Sequence, residues 1–61
     1  MDKQQAKITE IIRAVESQGG RVLRQVPVTP GSTTILLTAD LPGKQMTFRV
    51  AADGSFIPHT V

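Results

Sequence analysis

Side chains able to act as acids, bases or nucleophiles are few in this sequence. His59 is the one histidine, and it follows a proline near the end of the chain. A general base must be held within hydrogen-bonding reach of its target, and no neighbouring group is predicted to hold His59. A helix cap, two turn residues and a solvated helix face account for the carboxylates Asp2, Asp40, Asp53, Glu10 and Glu16. With no cysteine present, the sequence indicates a protein that is not an enzyme and has neither a metal site nor a cofactor.

Basic side chains are the second group that could carry a function, and they suggest nucleic acid as an alternative partner. The chain carries seven Lys and Arg against five Asp and Glu, a formal net charge of +2. Phosphate binding requires basic groups on one surface, but a regular strand would turn Arg21 and Arg24 to opposite faces. Base stacking is not predicted, because Phe48 belongs to the expected core. The residues of a phosphate-binding surface would be Arg21, Arg24, Lys44 and Arg49.

The elements that position these side chains begin with an amphipathic helix over residues 2–18. Ile8, Ile11, Ile12 and Val15 have the spacing of one helical face. Asp2 and Gln5 resemble a capping box at the start of the helix. Gly19 can adopt the left-handed conformation that ends it.

After the helix, the apolar pattern alternates with a period of two, which is typical of strands. Pro42-Gly43 fits the centre of a type II turn, and Asp53-Gly54 predicts a two-residue hairpin. A proline at position 58 restricts the last strand to an edge of the sheet and a short length, with a tail that frays. The predicted strands are residues 21–26, 33–39, 45–51 and 55–57.

Together these elements predict a single α+β domain over residues 1–61, with the helix packed on a three-stranded antiparallel meander and a short fourth strand at the edge. A folded chain of this mass exposes roughly 3,900 Å² and buries only about 60% of its surface. Such a domain is marginal, so association is expected to add stability. The predicted core, besides one face of the first strand, is Ile8, Ile11, Ile12, Val15, Ile35, Leu37, Met46, Phe48, Val50 and Phe56.

One helix covers one face of a sheet, so the other face is expected to be free for a partner. The residues expected there are Thr34, Leu36, Thr38, Thr47 and Arg49. We therefore expect a small non-catalytic binding or regulatory module, such as a phage or mobile-element inhibitor. It would dock on a protein, or on a second copy of itself, through this face or an edge strand. The polar N-terminus and the absence of a long apolar run favour the cytoplasm and no membrane partner. No small-molecule substrate is evident.

Three segments carry a family resemblance, and they are Val15-Glu16-Ser17-Gln18-Gly19-Gly20, Val22-Leu23-Arg24-Gln25 and Gly31-Ser32. Through these segments, the stretch from the helix into the second strand resembles the HicA toxin family of double-stranded-RNA-binding-like ribonucleases. The likeness implies a similar scaffold and, as the third candidate function, ribonuclease activity. Where that family has its catalytic histidine, this chain has Thr33, so a ribonuclease here would have to use His59.

Overall fold

The computed structural model describes residues 2–61 as one helix followed by a four-stranded antiparallel sheet. The strands lie in chain order, β1-β2-β3-β4, so the sheet is a meander. This confirms the predicted α+β class and the fourth strand. The elements are α1 (Lys3–Ser17), β1 (Arg21–Pro27), β2 (Ile35–Leu41), β3 (Lys44–Val50) and β4 (Phe56–Thr60).

Helix α1 has a cap at each end. The sequence predicts the Asp2 cap and the Gly19 stop, but only one half of the predicted capping box is present. The Asp2 carboxylate accepts hydrogen bonds from the backbone N–H groups of Gln4 at 2.9 Å and Gln5 at 3.3 Å. The Gln5 side chain donates to the Thr9 hydroxyl, so the reciprocal half of the predicted capping box does not form. At the other end, Gly19 has a φ of +84°. The N–H groups of residues 19 and 20 donate to the carbonyls of residues 16 and 15, which is the Schellman arrangement.

Strand β2 begins and ends two residues later than predicted. The Ser32 hydroxyl accepts the N–H of Thr34, which keeps this segment in a loop before the strand. Pairing then continues to Leu41, which lies opposite Lys44. The connection from β2 to β3 is therefore a two-residue turn formed by Pro42 and Gly43, as predicted.

The connection from β3 to β4 differs from the predicted two-residue hairpin. The carbonyl of Ala51 accepts the N–H of Gly54, and the N–H of Ala51 donates to the carbonyl of Ser55. Gly54 has a φ of +90°, whereas Asp53 does not have a positive φ. These are the features of a three-residue loop that ends in a left-handed glycine.

Strand β4 is longer than predicted and passes through its proline. It extends to Thr60, and the N–H of Val61 donates to the carbonyl of Gln45 at 3.0 Å. The predicted fraying of the tail is therefore wrong. Pro58 is tolerated because it lies on the edge strand, as expected.

The core lies between α1 and the sheet, and it is centred on β2. Ala39 and Leu41 join the predicted core residues, whereas Phe56 is 42% exposed and belongs to no core. Ile12, Ile35, Met46 and Phe48 are only half-buried against it. The buried residues are Ile8, Ile11, Val15, Leu37, Ala39, Leu41 and Val50.

The helix leaves part of its own side of the sheet uncovered. A groove of about 290 Å³ lies between α1 and β3, with Met46, Phe48 and Phe56 among its lining residues. The Lys7 ammonium lies at one side, 2.8 Å from the Glu10 carboxylate and 5.2 Å from the centre of the Phe56 ring. Within residues 2–61, no helix is long and apolar enough to cross a membrane.

Candidate docking face

The side of the sheet away from α1, called the open face below, has no covering element among residues 2–61. Its composition follows from the strand register, because side chains alternate between the two faces and Leu37, Ala39 and Val50 point toward the helix. The open face consists of Arg21, Arg24, Val26, Leu36, Thr38, Asp40, Gln45, Thr47, Arg49, Ile57 and His59.

Four of the five residues predicted for a docking surface lie together at the centre of the open face. Leu36 lies directly opposite Arg49, and Thr38 lies directly opposite Thr47. Leu36 and both threonines are half-buried, whereas Arg49 is exposed. Thr34 lies outside this group, because it precedes β2 and its carbonyl accepts the N–H of Val28.

A β-bulge in β1 decides where the basic residues lie. The pairing shifts by one residue at Leu23, between Val22 and Arg24. Arg21 therefore lies opposite Asp40 and Arg24 opposite Thr38, so both arginines belong to the open face. The expectation from a regular strand, which places them on opposite faces, is wrong because of the extra residue.

Lys44, the remaining residue of the predicted basic surface, lies on the other side of the sheet. It is opposite Leu41, which is buried against the helix, and it lines the groove beside α1. The structure thus brings together Arg21, Arg24 and Arg49 and separates Lys44 from them.

Aliphatic residues that the sequence analysis did not select extend the open face to both edges. Val26 is opposite Leu36, and Ile57 is opposite Arg49. Val26 is 37% exposed and Ile57 is 67% exposed. One row across all four strands therefore reads Val26, Leu36, Arg49, Ile57. The alternation of residues 55–61 could have predicted that Ile57 lies on the open face. Pro58 led instead to a predicted strand that ends at residue 57.

A small depression lies on the open face between β3 and β4. Its volume is about 190 Å³, and its lining residues are Thr47, Arg49, Ile57 and His59. His59 is directly opposite Thr47. The one histidine of the chain is thus held in a strand beside an arginine.

Both edges of the sheet lack a backbone donor at a position where a further strand would need one. The N–H of Val28 donates to the carbonyl of Thr34. Hydrogen-bonded and non-hydrogen-bonded pairs alternate along an antiparallel ladder. Residue 27 is adjacent to the hydrogen-bonded residue 28, so its backbone groups point outward. By the same rule, the bond from Val61 to Gln45 makes residue 58 point outward. Both outward positions are prolines, which carry no N–H.

The residues that a HicA-like ribonuclease would require do not form a shared site. Thr33 precedes β2, and its carbonyl accepts a hydrogen bond from the Gln4 side chain at 2.6 Å. His59 lies in the row of Thr38 and Thr47. The register therefore separates these two residues by several residues along the strands.

Comparisons with known proteins add no family to this description. The chain matched no family model, no curated protein and no solved structure. The geometry of the open face is therefore the basis for an argument about function.

Proposed function

We propose that this protein is a non-catalytic binding module that docks on a protein partner through the open face. The observation that carries the proposal is the row Val26, Leu36, Arg49 and Ile57, in which three of the four strands of an uncovered sheet present an aliphatic side chain. Burying such surface is worth about 25 cal/mol per Å² before the costs of association. A module of this kind acts by occupying a surface of its partner, which suits a regulatory or inhibitory role.

The form of the sheet edges favours the face over an edge as the docking site. Addition of a strand relies on backbone hydrogen bonds along the edge. Pro27 and Pro58 each remove an outward donor, and the bulge at Leu23 interrupts the regular edge of β1. Natural sheets use these same features to prevent edge pairing.

The charge of the open face favours a separate partner over a second copy of the chain. Arg21, Arg24 and Arg49 lie on it with one acidic residue, Asp40. A two-fold interface places the same patch on both subunits. It would therefore set three arginines of one copy against three of the other, and like charges in an interface are costly.

Capture of the partner from a nuclease-treated lysate of the source cells tests this proposal. Ile57→Asp puts a charge into the aliphatic row on a residue that is 67% exposed, so the fold tolerates it. We expect this variant to lose at least about 90% of the captured protein, because burial of an isoleucine side chain is worth about 1.5 to 3 kcal/mol and about 1.4 kcal/mol corresponds to a tenfold change in affinity. The new carboxylate also lies directly opposite Arg49, where it would compete with the partner for the guanidinium.

Leu23→Asp is the matched control, since Leu23 is a 48% exposed aliphatic residue of an edge strand that lines a depression with Ile12 and Glu16 of α1. Circular dichroism confirms that both variants fold. Equal capture by Ile57→Asp and the unmodified protein would contradict docking through the open face.

The bulge in β1 supports nucleic acid as the second candidate partner. It places Arg21 and Arg24 on the face that holds Arg49, which meets the requirement for converging charge. Three phosphate contacts predict that log K falls with log salt at a slope of about −3. Binding of double-stranded RNA or DNA with that slope, weakened by Arg24→Gln, would support this candidate. A slope near zero would remove it.

A further inference from the structure

We infer that the depression formed by Thr47, Arg49, Ile57 and His59 is a carboxylate-binding pocket that accepts an acidic side chain of the docked protein. This inference rests on the proposed function and specifies the chemistry of its partner. The depression combines hydrogen-bond donors with an apolar wall on the open face.

The register concentrates three hydrogen-bonding groups in this pocket. Thr47 and His59 are direct cross-strand partners, which places their Cβ atoms about 5 Å apart. Arg49 is diagonal to His59, at about 7 to 8 Å between neighbouring positions on one face. A guanidinium, a hydroxyl and an imidazole can all donate hydrogen bonds to one carboxylate. Arginine also matches a carboxylate with two parallel bonds.

These donors have no internal acceptor in the part of the chain that the structure describes. None of the side-chain hydrogen bonds or ion pairs within residues 2–61 involves Thr47, Arg49 or His59. The acidic residue of the open face, Asp40, lies in a different row, opposite Arg21 on β1 and Gln45 on β3 in the strand register. The pocket is therefore positively charged and able to accept an external anion.

The walls of the pocket favour a protein carboxylate over a nucleic-acid phosphate. Ile57 forms one wall, and Leu36 lies directly across from Arg49. An Asp or Glu side chain flanked by aliphatic residues satisfies both the charge and this apolar surface. A nucleic acid would gain from aromatic stacking, but Phe48 and Phe56 both line the groove on the helix side of the sheet.

Nuclear magnetic resonance titration of the ¹⁵N-labelled protein tests the pocket directly. The probe is the blocked tripeptide acetyl-Leu-Glu-Leu-amide, and its neutral counterpart is acetyl-Leu-Gln-Leu-amide. We expect the acidic peptide to shift the amide signals of the pocket residues and to bind at least about tenfold more tightly than the neutral one, because hydrogen bonds to a charged group are stronger than those between neutral groups.

Two charge-matched variants locate the binding site. Arg49→Gln removes the guanidinium of the pocket, and we expect it to weaken binding of the acidic peptide by about tenfold or more. Lys44→Gln removes the same charge from the other side of the sheet, and we expect it to leave the affinity unchanged. Equal effects of the two variants, or peptide shifts confined to the groove beside α1, would overturn the pocket.

A single-stranded oligonucleotide titrated in parallel distinguishes a phosphate from a carboxylate. If the oligonucleotide binds more tightly than the acidic peptide and depends on Arg49, the protein-carboxylate assignment is wrong. Suppose that Ile57→Asp abolishes capture of the partner while Arg49→Gln changes neither capture nor peptide binding. That result would support docking through the open face and contradict the carboxylate-binding pocket. If neither variant affects capture, the proposed function itself fails.

Discussion

The two faces of the sheet differ sharply although they are built from the same strands. On the helix side, Leu37, Ala39 and Val50 are 0% exposed. On the open face, no residue is buried, and Leu36, the direct neighbour of Leu37, keeps part of its side chain in water. Alternate residues of one strand thus have different environments, since one set packs in the core and the other stays in contact with solvent.

One helix buries only part of the apolar surface of this four-stranded sheet. The accessible surface is 4154 Å², somewhat above the value of about 3,900 Å² for a chain of this mass. Part of the excess lies on the helix side, where the groove beside β3 leaves Phe56 exposed. Among the other exposed large apolar residues, Val26 and Ile57 belong to the open face, and Leu23 lies at the bulge of β1.

Truncation of the two neighbouring leucines gives the largest expected difference between the faces. Leu37→Ala removes a fully buried side chain and should lower the free energy of unfolding by about 3 kcal/mol. Leu36→Ala should lower it by less than about 1 kcal/mol, because that side chain is only half-buried. Urea denaturation measures both values. Equal losses would mean that the open face contributes to the core.

The attachment of the helix to the sheet gives the next largest expected effect. The Gln4 side chain donates to the carbonyls of Thr33 at 2.6 Å and Val50 at 3.1 Å. Gln4→Ala should cost about 1 to 2 kcal/mol, because two carbonyls lose their partner. Gln5→Ala is the matched control and should cost about 0.5 kcal/mol or less, since its side chain reaches only Thr9. Thermal unfolding of both variants measures the contrast.

The smallest expected effect lies in the β3–β4 loop, which belongs to neither face. The N–H and hydroxyl of Ser55 donate to the Asp53 carboxylate at 2.9 Å and 2.7 Å, and they hold the pKa of Asp53 below its ordinary value. Because the folded pKa is the lower one, this contribution is complete above the unfolded pKa of about 3.9. It disappears as the pH falls through the folded pKa.

We therefore expect Asp53→Ala to lower the Tm slightly at neutral pH and to match the unmodified protein at the acid end. Melting curves over a series of pH values measure this, and Ser55→Ala should show a smaller loss with the same pH profile. A difference in Tm that persists unchanged into acid would show that the carboxylate charge is not responsible.

The sequence predicts the helix and the order of strands because hydrophobic periodicity and turn residues act locally. Ile8, Ile11 and Val15 are buried as their spacing indicates. Gly20 is a contrast, since its role depends on a distant strand: an added Cβ would lie 2.5 Å from the carbonyl oxygen of Asp40. No pattern near residue 20 reveals that approach.

The same limit applies to the candidate site. Leu36, Thr38 and Thr47 follow from alternation within their strands, and the register places them together. The shared face of Arg21 and Arg24 depends on a bulge, which is a property of how β1 pairs with β2. The exposure of Phe56 likewise depends on where α1 crosses the sheet, which the chain specifies only through packing of distant residues.

The two prolines at the sheet edges have a consequence for the behaviour of the protein when it is crowded. Fibrils grow when each incoming chain finds a full ladder of free backbone groups on the last strand added. Pro27 and Pro58 interrupt that ladder at opposite ends of the meander. We therefore expect this molecule to resist cross-β stacking through its edge strands at high concentration, in spite of its uncovered apolar surface.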